Sequence, residues 1–247
     1  MKCRLSIFDR PTSTGCYFCP VKPFLFNPVY DALQTGDRTL SIGSGKVKFF
    51  NTDVSPFVGI ETGYQNGFAD LQAQLPAGRL ILHATPNDIP TPDGWTLLHK
   101  IPGIQMLLTD AFQKQERTIQ VVSLTTKDVP LMVELATLTR PGPFGNKTIL
   151  FGNYQGIFVD GRLAAMTGQR LHPNHYTEIS AVCTHPDFLG RGYAAALVQH
   201  QAEAILANGQ KAFLHVRKDN DRAIGLYERL GFAYSGDMNF YFMKRDE

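Results

Sequence analysis

One stretch constrains the fold more than any other: THPDFLGRGYAAALVQHQAEAI, from Thr184 to Ile205. Gly190 and Gly192 flank a single arginine directly before an Ala-rich run with helical spacing. Glycine so close to a helix start costs backbone entropy on folding. It belongs there when the main chain must approach something closely. The preceding run, Tyr176–Thr184, reads as a strand, so the order is strand, glycine loop, helix. That order makes an anion site on physical grounds alone. The first N–H groups of a helix lack intrahelical partners, the helix dipole adds partial positive charge, and bare backbone admits a phosphate. Arg191 adds a mobile cation. The pattern is not the dinucleotide fingerprint, which needs GxGxxG and an acidic residue about twenty positions on, nor is it a Walker loop.

The rest of the chain divides in two. In the first part, Asn27 is placed to cap a helix over PVYDALQTG, with Pro28 at its first position. Lys46–Phe50 reads as a strand, Tyr64–Leu75 as a helix, and Arg79–His83 and Thr96–Ile101 as strands. Around Asp110–Arg117 the pattern turns charged and loses its apolar period. A domain boundary is expected there, giving an N-terminal α/β domain over 1–112 and a second domain over 118–247. In the second part Ile119–Leu124 reads as a strand and Thr125–Thr137 as a helix ended by Arg140–Phe144 (RPGPF). A hairpin turns at Asp160-Gly161. After the glycine loop come the helix Ala194–Leu206, a strand Lys211–Val216, a helix Asn220–Leu230 and two strands in Phe232–Met243. The expected class is α/β (α+β).

Bulk properties exclude several roles. With 247 residues and 43% hydrophobic content the chain can bury a sizeable core. A net charge of +2 argues against nucleic acid or an anionic membrane surface as partner. The start, MKCRLSIFDRPTSTG, lacks the apolar core of a secretory signal, and no apolar run is long enough to span a bilayer. Four cysteines fit a reducing compartment, so a cytoplasmic location is expected. Cys16-Tyr17-Phe18-Cys19 is a CxxC, but Pro20 and Pro23 break the helix that a redox pair would open. No metal site is expected.

Leu189-Gly190-Arg191-Gly192-Tyr193-Ala194 resembles the pyrophosphate loop of the GNAT N-acetyltransferase superfamily, Arg/Gln-x-x-Gly-x-Gly/Ala. It matches at Gly192 and Ala194 and departs at Leu189. VCTHPDFLGRGYA is similar to the family's strand, His-Pro turn and loop, and LHVRKDNDRAIGLYERLGF to its later strand–Asn–helix–Tyr–Gly-Phe segment. The likeness covers about half the chain, from roughly residue 118 onward. It implies a GNAT fold: a mixed, mostly antiparallel central sheet flanked by helices, with the N-terminal α/β domain as an addition, for which a degenerate GNAT-like half is one reading.

The resemblance also implies chemistry. The activity would be acetyl transfer from acetyl-CoA to an amine by direct attack on the thioester. Val182, Cys183 and Thr184 would bind the pantetheine through main chain. The CoA pyrophosphate would rest on Leu189, Gly190, Arg191, Gly192, Tyr193, Ala194 and Ala195. Asn220 would touch the cofactor arm, and Tyr227 would protonate the departing thiolate. Glu178 matches a strand glutamate that draws the amine proton. Regular alternation would put it on one face with Ser180, Val182 and Thr184, and partial burial would raise its pKa towards neutral. Arg191, Arg217, Lys218 and Arg222 are candidate phosphate contacts. His172 and His175 are candidates for the acceptor site or a surface loop, and His185 for a turn. Two alternatives stay open: transfer of a longer acyl chain, and binding of acyl-CoA without turnover. The acceptor amine and the oligomeric state are not legible.

Overall fold

A computed structural model describes residues 23–112 and 119–247. Cys3, Cys16 and Cys19 lie outside the described residues. The first half carries α1 (Pro23–Phe26), α2 (Pro28–Gln34), β1 (Ser41–Ile42), β2 (Val47–Phe50), β3 (Phe57–Ile60), α3 (Gly67–Gln74), β4 (Leu80–Thr85) and β5 (Trp95–Leu108). The second carries β6 (Val122–Ser123), α4 (Val129–Thr139), β7 (Gln155–Val159), β8 (Arg162–Gln169), β9 (Tyr176–Thr184), α5 (Tyr193–Ala207), β10 (Lys211–Arg217), α6 (Asp221–Arg229) and β11 (Phe232–Arg245). Among the described residues no helix is long and apolar enough to cross a membrane.

All eleven strands of the described residues join one open sheet in the order β1-β2-β3-β4-β11-β5-β10-β9-β8-β7-β6. Most neighbours are antiparallel; β3 with β4 and β9 with β10 run parallel. The sheet joins strands of both halves, because β11 inserts between β4 and β5 while β5 also pairs with β10. Helices cover both faces. On one side α5 and α6 bury Ala195, Val198, Ala202 and Tyr227 against Ile104, Met106, Ile179 and Leu214. On the other, α2 and α4 pack Leu33, Met132 and Leu135 against Met166, Ala181, Cys183 and Phe213. The result is a mixed α/β fold with a mostly antiparallel sheet.

Several local expectations change for physical reasons. Asn27 stands at the start of α2, yet its Nδ2 donates to the Ile60 carbonyl (2.7 Å) and to Thr62 Oγ1 (3.1 Å), so it ties α2 to β3 rather than capping the helix. The helix expected from Tyr64 begins at Gly67, and the Tyr64 hydroxyl instead donates to Asp70 (2.7 Å). Phe232–Met243 forms one strand, not two. Its polar Ser235–Asp237 stretch is absorbed as a register shift between Tyr234 and Gly236 against β5. Around α4 the chain behaves as its sequence demands: Thr125 and Asp128 form a capping box, and Arg140 closes the helix in the left-handed region (φ 51°).

Candidate active site

β9 and β10 pair in parallel only from Tyr176↔Lys211 to Glu178↔Phe213. Beyond that point they part. In the opening, β9 carries a bulge: Ser180 pairs with Gly168 and Cys183 with Met166, so Ala181 and Val182 both stand opposite Thr167. Ala181 takes φ 52°, an unusual conformation for a residue with a Cβ. Thr167 Oγ1 donates to the Ser180 carbonyl (3.0 Å), which holds the displaced main chain. The bulge resets the alternation of the strand. Ala181 and Cys183 pack towards α4, and Val182 towards α5 and α6.

From the end of β9 the chain makes one 3-10 turn, capped by His185 Nδ1 accepting from the Asp187 N–H (3.2 Å), and enters the glycine loop. Gly190 and Gly192 both have φ 78°. A Cβ added at Gly190 would meet nothing within 4 Å, so the loop is open on its outer side. Gly192 is the N-cap of α5. Helix geometry leaves the N–H groups of Tyr193, Ala194 and Ala195 without intrahelical carbonyls, aimed at the loop. A cleft of about 500 Å³ lies against them, between α5 and α6.

Twelve of the thirteen residues singled out from sequence line this one cleft: Val182, Cys183, Thr184, Leu189, Gly190, Arg191, Gly192, Tyr193, Ala194, Ala195, Asn220 and Tyr227. Asn220 is exposed and accepts from the Ala223 N–H (3.2 Å), capping α6 at the cleft mouth. Tyr227 is buried, with its ring edge-on to Phe232 at 6.1 Å. Its hydroxyl has no hydrogen-bond partner among the described residues, and burial pushes its pKa up to about 12. Burial likewise raises the free thiol of Cys183 to about 11, which keeps it protonated and unreactive.

Glu178 is the residue outside the cleft, and the structure corrects the expectation attached to it. Because of the bulge it lies on the opposite face of β9 from Val182 and Thr184. Its side chain is fully buried, and its carboxylate accepts from Arg170 Nε (2.8 Å) and Nη2 (2.5 Å). His215 Nδ1 sits 2.7 Å from Oε1. Burial alone would raise its pKa, but Arg170 and then His215 outweigh that and hold it down at about 2. The raised pKa that suits a base is therefore absent.

The cationic candidates also sort out. Arg191 and Arg222 line the cleft, and Arg191 lies over the Phe188 ring at 5.1 Å. Arg217 instead pairs with Asp219 (2.7 Å) and Lys218 with Asp237 (3.1 Å), away from it. His172 is tied to Asp37 (2.7 Å), and His175 is exposed. Sequence reasoning missed Arg229 and Thr139, both in the cleft wall. Arg229 was within reach, since it follows Arg222 by seven residues and so shares its helix face. Thr139 comes from α4, and nothing local points to it.

A strand pair that opens at a bulge beside a glycine-capped helix makes a cleft suited to an anionic ligand. Comparison with known proteins gives the family. Residues 154–241 match the FR47-like protein family. A solved structure from Novosphingobium aromaticivorans placed in the GNAT family is 32% identical, with TM-score 0.84, covering 90% of this chain and 99% of that one. The chain belongs to the GNAT acetyltransferase family. A GCN5-related N-acetyltransferase from Kribbella flavida shares the fold at TM-score 0.59 and 15% identity, over 87% of this chain and 93% of that one. An acetyltransferase of Yersinia enterocolitica is 47% identical over 49 residues, 19% of this chain and 35% of that protein. The chain thus spans about a third of the length of the curated relatives it matches.

Proposed function

We propose that the protein transfers an acetyl group from acetyl-CoA to an amine by direct attack of the amine on the thioester. The observation that carries this reading is the bulge in β9, which puts one strand between two clefts. Val182, Cys183 and Thr184 line the large cleft, while Ser180 and Ala181 line a small one walled by Pro141–Phe144, Tyr154 and Arg170. The large cleft fits acetyl-CoA by its donor set: open backbone at Gly190, helical N–H groups behind it, and the guanidinium groups of Arg191, Arg222 and Arg229 around it. Acetyl-CoA, when bound, supplies the thioester that the amine attacks. The main chain from Val182 to Thr184 orients the pantetheine arm and polarises the acyl carbonyl.

Tyr227 donates the proton that the departing sulfur needs. A pKa of about 12 keeps its hydroxyl protonated at neutral pH. The acceptor approaches from the side of the Pro141–Phe144 loop and sheds its proton to solvent. Glu178 acts as a buried anchor for Arg170 and His215 and so fixes the strand opening. Few cysteines, with Cys183 a buried thiol, support a cytoplasmic setting.

The test is release of free thiol from acetyl-CoA against a panel of small amines, amino acids and peptides. Release with at least one acceptor is expected. No release with any of them, together with no measurable acetyl-CoA binding, refutes the reading.

A further inference from the structure

The large cleft is not confined to the face of the sheet that carries the glycine loop. Val182, Ala195 and Tyr227, in its wall, belong to the core that the sheet shares with α5 and α6. Cys183, also in its wall, packs on the other face, and Thr139 is the last residue of α4. The cleft therefore reaches through the gap where β9 and β10 part. Val182 and Tyr227 bound it there on one face of the sheet, Cys183 and Thr139 on the other.

Thr139 is fixed in that position from several sides. Its Oγ1 donates to the Leu135 carbonyl (2.6 Å). The buried thiol of Cys183 hydrogen-bonds to the same hydroxyl. The threonine proton is committed to Leu135, so the thiol is the donor. Arg140 ends the helix at the next residue, in the left-handed region (φ 51°). Leu135 and Ala136, four and three positions earlier and so on the same side of α4, are buried in the core. With the hydroxyl engaged twice, the methyl group is the part of the side chain left to meet a ligand.

In the acetyl-transfer reading the pantetheine arm lies along Val182–Thr184, and Tyr227 delivers a proton to the sulfur. The acyl group, one bond beyond the sulfur, then falls at the level of the gap, between Tyr227 on one side and the Thr139–Cys183 pair on the other.

We propose that Thr139 sets the size of the acyl group: its methyl closes the gap behind an acetyl methyl, so the site takes acetyl-CoA and turns away propionyl-CoA and longer chains. The inference rests on the acetyl-transfer reading, which names the donor but gives no reason for its size. A wall locked by hydrogen bonds cannot yield to a longer chain as a loose one would.

The test is calorimetric binding of CoA, acetyl-CoA and propionyl-CoA to the full chain as wild type, Thr139→Ser and Thr139→Val. The readout is the ratio of the propionyl-CoA Kd to the acetyl-CoA Kd, in which any change common to all CoA species cancels. One methylene against a closed wall should make that ratio about tenfold or more in the wild type. Thr139→Ser keeps the hydroxyl and its bonds and removes only the methyl, so the ratio should fall below about threefold. Thr139→Val keeps the branch and loses the hydroxyl, so the ratio should stay near the wild-type value. A merely structural threonine would show the reverse, with serine benign and valine disruptive. If Thr139→Val does not fold, Thr139→Ala replaces it and should relax the ratio as serine does. Equal binding of the two donors by the wild type, or a ratio unmoved in Thr139→Ser, overturns this proposal and leaves acetyl transfer standing. Absence of thiol release from either donor with any amine overturns acetyl transfer itself, and is scored apart from the binding ratio.

Discussion

Replacing Glu178 by Gln separates an anchoring role from a catalytic one. The native carboxylate is held at about 2 against an ordinary value of 4.5. At about 1.4 kcal/mol per unit, that depression corresponds to about 3 kcal/mol of stability at neutral pH. Loss of one partner from a buried ion pair costs about 3–5 kcal/mol, which agrees. Because the folded pKa is depressed, the contribution is present in full above about pH 4.5 and lost as pH falls towards 2. Glutamine does not titrate. The stability gap between wild type and variant should therefore be about 3 kcal/mol at pH 7 and close progressively below pH 5. Urea unfolding across a pH series measures the gap. In thermal melts it should appear as a loss of about 6–12 °C for a chain of this size. A gap under about 1 kcal/mol at pH 7, or one that does not change with pH, refutes the assignment. If Glu178 were the base instead, the variant would lose kcat and the acidic limb of its pH profile with its stability intact.

Three further outcomes follow from the cleft. Tyr227→Phe should lower thiol release about 10²-fold, in the range of general acid catalysis, with CoA affinity unchanged by calorimetry; equal loss of affinity would make the tyrosine a packing residue. Gly192→Leu forces a branched side chain into φ 78° and into the phosphate approach, so CoA affinity should fall more than about tenfold, whereas Leu189→Ala should change it by less than about threefold. Cys183, at about 11, should be about 0.1% thiolate at pH 8, so the peptide that contains it should stay unlabelled by a thiol reagent until the protein is denatured.

The readable parts of the molecule are those whose cause is local. The glycine loop, the α5 helix behind it and the Asn220 cap each follow from residues within a few positions of one another, so each is legible before any fold. The face of Glu178 was not. Nothing in YTEISAVCT distinguishes a regular strand from one with an extra residue at Ala181, because the bulge is imposed by the pairing with β8. Its partners come from elsewhere too: Arg170 from the end of β8 and His215 from β10, 37 positions on. β3 escaped because four fully buried residues carry no alternation. The longest pairing in the sheet, β5 with β11, joins segments more than a hundred residues apart and leaves no local trace.

That pairing bears on how the protein is made. β4 and β5 emerge from the ribosome long before β11, the strand that fills the space between them: Thr96 Oγ1 donates to Asp246, 150 positions away (2.6 Å). Throughout synthesis of the second half, two strand edges of the first stand open and able to pair with a neighbouring chain. Exposed Leu80, Leu97 and Leu98 lie on those same strands. Yield in a cell should thus depend on how fast β11 follows, or on a chaperone that covers the gap until it arrives.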